Sequence, residues 1–194
     1  MLCLIGAVSL LSLIFLVWKI IFDGRGAPNK RNNITLNQTY QYYVDSNGIR
    51  NSQIKLLKNH KYVIYAERYT YLSDKKLQEK EYSEEQAIYP ALILTQGKFD
   101  KQHNEILLKP QYSTIIRFYD ISALHQKRYF EKETKKLVPS AGGKIIFSWR
   151  GLYYQTKGIN KKVHKIKLKK SSKPIPSSEE DFLEQYTYVP DMGN

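Results

Sequence analysis

The stretch KKVHKIKLKK, residues 161–170, alternates apolar and basic side chains along its second half. In an extended backbone successive side chains point to opposite faces, so Ile166 and Leu168 share one face and the lysines between them share the other. This pattern predicts a β-strand with one buried face. It also predicts a row of exposed lysines, called the lysine row below: Lys161, Lys165, Lys167 and Lys169.

Strands are predicted along most of the chain after residue 39. The segment 61–72, KYVIYAERYTYL, is rich in β-branched and aromatic residues and contains no Gly or Pro. Asn47-Gly48 predicts a type I′ turn that joins the runs 39–45 and 49–57 into a hairpin. Further strands are predicted at 88–96, 105–109, 113–121, 144–149 and 152–156, the last two as a hairpin.

Two segments between these strands have a different character. Residues 73–87 are charged almost throughout, which indicates an exposed helix or a long solvated loop. Residues 122–137 predict the clearest helix, capped by Asp120 or Ser122. The order of strands, one or two helices and further strands predicts the α+β class, with one small, mainly antiparallel sheet domain.

The first 22 residues differ from the rest of the chain. From Leu2 to Phe22 only Lys19 is charged, and as a helix this run would be roughly 30 Å long, the thickness of a bilayer core. It is longer than the apolar region of a signal peptide, although Gly24 and Gly26 make a weak cleavage site. The run therefore predicts an N-terminal transmembrane helix, with a cleaved signal peptide as the alternative.

Basic residues flank this run on one side only. Arg25, Lys30 and Arg31 follow it, and none precedes it. The positive-inside rule then favours a soluble domain that is cytosolic rather than periplasmic. The expected location is the bacterial inner membrane, as a single-pass protein. Cys3 is the only cysteine, so no intramolecular disulfide is expected.

Composition divides the chain into a transmembrane anchor (1–22), a linker (23–39), an α+β domain (40–170) and a linker with an acidic tail (171–194). In the tail, Ser178 and Asp181 fit the spacing of a capping box at the start of a short helix. The apolar residues of that helix are the candidates for contact between the tail and the rest of the chain: Phe182, Leu183 and Tyr186.

No catalytic, metal-ligating or cofactor-binding residue is predicted, and no cofactor is expected. The four histidines do not form a helical ligand pair of the HExxH kind. The glycine pair at 142–143 lacks the other residues of a phosphate-binding loop. Ser52 and Lys55 match the SxxK pattern, but its partner motifs are absent.

Positive charge is concentrated in one block. Residues 120–170 contain fourteen Lys and Arg against three acids, whereas residues 173–194 contain one lysine against five acids. The block predicts a surface for an anionic partner, formed by the lysine row with Trp149, Arg150, Tyr153 and Tyr154. An acidic protein surface is the predicted partner, which includes the acidic tail of this chain or of a second copy. Anionic lipid and nucleic acid are the alternatives, and a solvated face is the simplest interpretation.

The sequence thus predicts a non-catalytic, membrane-anchored binding or scaffold protein, an accessory subunit of a bacterial envelope or secretion assembly. Two alternatives stay open. One is a membrane-tethered hydrolase, such as a nuclease or cell-wall enzyme, whose site is assembled from distant residues. The other is a membrane-anchored immunity protein that neutralises a toxin.

Overall fold

Antiparallel strands make up most of the structure. A computed structural model of the chain describes residues 34–43, 51–68, 89–157 and 163–190, which belong to one structural unit, Asn33–Asn194. The strands are β1 (Thr39–Tyr42), β2 (Asn51–Leu56), β3 (Lys61–Glu67), β4 (Ala91–Gln102), β5 (Glu105–Arg117), β6 (Arg128–Tyr129), β7 (Glu131–Lys136), β8 (Lys144–Ser148), β9 (Gly151–Lys157), β10 (Val163–Lys167), β11 (Lys169–Ser171) and β12 (Thr187–Tyr188). The α-helices are α1 (Ile121–His125) and α2 (Glu179–Leu183), and a 3-10 turn covers Pro139–Ala141.

One sheet joins most of these strands and nearly closes on itself. Its order is β10-β9-β8-β5-β4-β3-β2-β1-β11, and β7 pairs with the second half of β5. The two ends of this path are consecutive in the chain, because β10 pairs with β9 and β11 pairs with β1. Between them the Leu168 N–H donates to the Leu152 carbonyl at 2.9 Å. The single segment 163–171 therefore joins the two edges of the sheet.

The interior of this sheet holds one hydrophobic cluster, the inner cluster. Its buried members are Tyr40, Tyr42, Ile54, Leu56, Tyr62, Phe99, Ile106, Leu108, Ile145, Leu152, Tyr154 and Leu168. Alternate residues of each strand enter it, such as Ile54 and Leu56 of β2, as the period of a strand requires. Burial of these side chains is the main source of stability of the closed sheet.

A second hydrophobic cluster, the outer cluster, lies on the opposite face of β3, β4 and β5. Its buried members are Val63, Tyr65, Leu92, Leu94, Ile116, Phe118, Leu124, Ile175 and Phe182. The last two come from the C-terminal segment 172–190, which crosses this face. Most of β3 and residues 91–94 of β4 are thus buried on both faces, which explains why these stretches are apolar almost continuously.

Polar contacts hold the start of the C-terminal segment on the sheet. The Lys55 amine donates to the Ile175 carbonyl at 2.5 Å and to the Ser177 hydroxyl at 2.9 Å. Lys173 forms an ion pair with the buried Glu67 at 2.9 Å. Burial lowers the pKa of Lys55, which is consistent with a position under this segment.

The α+β prediction is wrong, because the described residues form a nearly closed antiparallel sheet with only two five-residue α-helices. The predicted helix 122–137 ends at His125 and is followed by β6 and β7. Tertiary pairing overrides the helical pattern there: β7 pairs with residues 112–117, and Arg117 binds Glu131 at 2.5 Å and Glu133 at 2.9 Å. The strands predicted at 105–109 and 113–121 are one strand that continues through Pro110.

The sequence also predicted a transmembrane helix in front of the α+β domain, and the structure does not support that architecture. Within the described ranges no helix is long and apolar enough to cross a membrane. Residues 1–22, to which the anchor was assigned, lie outside those ranges, as do most of the linker at 23–39, the turn at Asn47-Gly48 and the segment 73–87.

Other predicted elements are confirmed. The runs around 39–45 and 49–57 form the antiparallel pair β1–β2, and β8 and β9 form the predicted hairpin. The strand predicted in 161–170 is present as β10 and β11, with Leu168 buried and Lys165, Lys167 and Lys169 exposed.

Candidate functional site

The outer face of β8, β9 and β10, called the basic face here, carries most of the residues proposed from the sequence. Strand pairing sets Lys165 opposite Gln155, and Lys167 opposite Tyr153. Since side chains alternate along each strand, Tyr153, Lys165 and Lys167 point outward together. Lys161, the first residue of the predicted lysine row, lies outside the described part of the chain.

The tip of the β8–β9 hairpin presents an exposed aromatic ring. Trp149 and Arg150 form a two-residue loop between the paired residues Ser148 and Gly151. Gly151 has a φ of 128°, which L side chains rarely adopt, so a glycine suits this turn. The Trp149 side chain is 73% exposed, and the Arg150 guanidinium lies 4.4 Å from the ring centre. This distance is that of a cation–π contact.

A second cation–π contact continues the surface away from the tip. The Lys165 amine lies 4.7 Å from the ring centre of Tyr153. A methyl group built on Gly151 would lie 3.5 Å from the Cε atom of Lys167, so the lysine row begins beside the hairpin tip. The structure therefore brings Trp149, Arg150, Tyr153, Lys165 and Lys167 into one continuous surface.

Tyr154 is the exception among the proposed residues. It is 9% exposed and belongs to the inner cluster, so it does not lie on the basic face. Its ring centre lies 4.7 Å from that of Tyr42. The period of two explains the difference, because adjacent residues of β9 must point to opposite sides of the sheet.

The positive charge of this surface is not neutralised within the described residues. None of them forms an ion pair with Arg150, Lys165, Lys167 or Lys169, whereas other basic residues of the block are paired. Lys135 binds Glu133 at 2.7 Å, and Lys144 binds Glu105 at 2.6 Å. The basic residues of block 120–170 therefore form two groups: some are ion-paired with acidic residues, and those of the basic face have no acidic partner among the described residues.

The acidic tail lies elsewhere. Phe182 is fully buried in the outer cluster, and Leu183 and Tyr186 pack against the same cluster. Glu179 of α2 lies 3.7 Å from the Lys132 amine on β7. Among the described residues, the contacts of this segment that carry side-chain packing, ion pairs or strand pairing are with β2–β7 and α1, not with the basic face.

The inner side of the sheet contains a cavity of about 330 Å³. Tyr42, Tyr62, Tyr154 and Ser52 line part of it, and Tyr42 is hydrogen-bonded to Ser52 and Tyr154. Burial raises the pKa of each of these three tyrosines, and their hydroxyls, which are protonated at neutral pH even at the ordinary tyrosine value, stay so well into the alkaline range. Sequence reasoning missed this cavity, because no local pattern shows which strands face one another across a closed sheet.

Groups that commonly carry catalysis are dispersed. No cluster of three metal-ligating side chains occurs in the described residues, and no His, Asp or Glu lines the cavity. Ser52 and Lys55 of the SxxK match lie on opposite faces of the sheet. Ser52 lines the cavity, whereas Lys55 binds the C-terminal segment on the outer face. The glycines at 142–143 have a packing role, described below.

Comparison with protein-family models, curated proteins and solved structures finds no match to this chain.

Proposed function

We propose that this chain is a non-catalytic binding protein whose basic face docks an acidic surface of another protein. One observation carries the proposal: an exposed tryptophan, stacked by an arginine, stands beside a row of lysines that lack acidic partners among the described residues. Trp, Tyr and Arg are the residues that most often dominate the energy of protein–protein contacts. Surrounding lysines add electrostatic complementarity to an acidic partner.

The basic residues favour carboxylates over phosphates as the partner's anions. The chain has 24 lysines but only 7 arginines. Of the residues assigned to the basic face, Arg150 is the one arginine, and the other basic residues are lysines. Planar guanidinium groups bind phosphate in a bidentate manner, whereas lysine acts as a hydrated point charge. In addition, Trp149 and Tyr153 each have a cation on one ring face, which reduces the area that could stack on nucleic-acid bases.

The test compares two triple variants of the full-length chain that lose the same charge. The first changes Lys165, Lys167 and Lys169 to Gln. The control changes Lys98, Lys101 and Lys136 to Gln, which are exposed residues of β4 and β7. Binding is titrated against poly-glutamate, heparin, single-stranded RNA and phosphatidylglycerol vesicles at low and high salt.

The expected result is that poly-glutamate binds and that the first variant weakens its binding about tenfold, whereas the control changes it less than about twofold. If both variants lose the same affinity for poly-glutamate, binding depends only on net charge, and the proposal of a defined binding face is rejected. Binding to RNA or to vesicles, but not to poly-glutamate, would replace the proposed acidic protein with the corresponding alternative partner.

A further inference from the structure

The cavity inside the sheet arises where β5 changes its neighbour. Residues 105–107 of β5 pair with β8, whereas residues 112–117 pair with β7. The sheet therefore separates between these two parts, and residues 137–143 cross the gap. Leu137, Ala141 and the glycine pair at 142–143 line the cavity from this side.

Two glycines let the crossing segment approach the neighbouring strands. The Leu108 N–H donates to the Gly143 carbonyl at 3.0 Å. A methyl group at Gly142 would lie 1.8 Å from the Leu108 carbonyl oxygen, and one at Gly143 would lie 2.6 Å from the Gln155 carbonyl oxygen. The cavity wall is thus a close backbone contact that only glycine allows, rather than a loosely placed loop.

On the opposite wall, two small side chains leave the cavity unfilled. Strand pairing aligns Tyr42 of β1, Ser52 of β2, Ala66 of β3 and Ile93 of β4 in one row across the sheet. All four line the cavity. Because Ser52 and Ala66 are adjacent and short, this level of the interior is not filled, whereas Ile54 and Leu56 of β2 fill the levels beyond it.

The lining determines what this space can accept. Among the described residues no Asp, Glu, Lys, Arg or His lines it, and most of the lining surface is apolar. The polar groups are hydroxyls: those of Tyr42, Tyr62, Tyr154, Ser52, Thr95 and Thr156. A charged ligand would lose part of its hydration without gaining a counter-charge, whereas an apolar molecule with one oxygen or N–H group would find both apolar contact and a hydrogen-bond partner.

We propose that this cavity is a binding site for a small, uncharged ligand with an apolar body and one hydrogen-bonding group. Its volume of about 330 Å³ is at the lower end of the range for ligand cavities, roughly 300–1,000 Å³. Interiors of closed antiparallel sheets can hold one small ligand. The site is independent of the basic face, which lies on the other side of the sheet.

A pair of fluorescent probes tests the predicted ligand class. The full-length chain is titrated with N-phenyl-1-naphthylamine, which is uncharged, and with 8-anilinonaphthalene-1-sulfonate, which has the same rings and one added sulfonate. The uncharged probe is expected to bind once per chain, at least about tenfold more tightly than the sulfonate. Failure of the uncharged probe to bind, or equal affinity for the two probes, would overturn the proposal.

Matched variants test the location. Ala66→Leu adds its side chain to the cavity, whereas the control Ala123→Leu adds the same atoms beside the outer cluster. Ala66→Leu should weaken the uncharged probe about tenfold, and Ala123→Leu should leave its affinity unchanged. If circular dichroism shows that Ala66→Leu does not fold, Thr156→Leu replaces it, because Thr156 is a partly exposed residue of the same lining. Equal affinity in the cavity variant and the control would rule the cavity out.

The lysine-row variant separates this proposal from the proposed function. Lys165, Lys167 and Lys169 do not line the cavity, so their change to Gln should leave binding of the uncharged probe within about twofold. A loss of probe binding in that variant would place the probe on the basic face and would contradict the cavity site.

Discussion

Two parts of the outer surface of one sheet differ in how they are covered. The outer face of β3–β5 is apolar, and the chain covers it with its own C-terminal segment through Ile175, Phe182 and Tyr186. The basic face of β8–β10 presents lysines and an exposed tryptophan, and within the described ranges the C-terminal segment packs on the apolar face instead. The difference shows that the C-terminal segment packs on the apolar face rather than on the face of opposite charge, although the tail is acidic and the basic face is positive.

Physical magnitudes account for this preference. An exposed ion pair contributes about 0–1 kcal/mol, whereas full burial of one large apolar side chain contributes about 1.5–3 kcal/mol. Phe182 meets Tyr65 edge-on at 6.1 Å between ring centres and Tyr186 at 5.7 Å. Aromatic contacts of this kind add to the burial term. The acidic side chains of the tail thus have only a secondary influence on where it docks.

The largest effect expected from this comparison is that of Phe182→Ala. This change leaves a cavity in the outer cluster beneath the C-terminal segment, so the free energy of unfolding should fall by about 3–5 kcal/mol. Urea denaturation followed by circular dichroism measures it. The control Tyr188→Ala, at a side chain that is 56% exposed, should cost less than about 1 kcal/mol. A loss below about 1 kcal/mol for Phe182→Ala would show that the C-terminal segment is not part of the stable core.

A smaller effect is expected at the start of α2. The Ser178 hydroxyl accepts a hydrogen bond from the Asp181 N–H at 3.0 Å, and the Asp181 carboxylate accepts one from the Ser177 N–H at 3.1 Å. Ser178→Ala removes the cap and should lower the free energy of unfolding by about 1 kcal/mol. The same change at the exposed Ser140 is the control and should be neutral within about 0.5 kcal/mol. Equal losses at both positions would argue against a capping role.

The smallest effect on stability, and the sharpest contrast with Phe182, is expected for Trp149→Ala. Because this ring is mostly exposed, its removal should change the free energy of unfolding by less than about 0.5 kcal/mol. Binding of poly-glutamate or of an acidic partner should nevertheless weaken severalfold. Val138→Ala, at another exposed apolar residue, is the control for binding. A large loss of stability at Trp149 would mean that the ring serves the fold rather than a partner.

Local patterns in the sequence predicted the strands well and the helix poorly. The alternation in 161–170 and the β-branched run in 61–72 identified β10, β11 and β3, because the period of a strand depends only on neighbouring residues. The helical spacing in 122–137 was misleading. Glu131 and Lys135 suit a helical ion pair, yet in β7 Lys135 binds Glu133, two residues away on the same face of the strand.

The candidate site was predictable in its residues but not in its arrangement. Charge counting identified the basic block, and proximity in the sequence grouped Tyr153 with Tyr154. Only strand pairing separated them, placing Tyr153 on the basic face and Tyr154 in the interior. It also placed Lys167 of β10 beside Gly151, the residue that follows the Trp149-Arg150 loop.

By itself the sequence determined which segments alternate apolar and polar side chains, where the positive charge is concentrated and where the tail helix begins. Each of these features depends on residues within a few positions of one another. The tertiary structure decided that 163–171 joins the two edges of the sheet, that the acidic tail covers an apolar face, and that Ser52 and Ala66 open a cavity. These outcomes depend on which distant strands become neighbours. The free energy that selects those neighbours comes from burial shared among many residues, and no short pattern contains it.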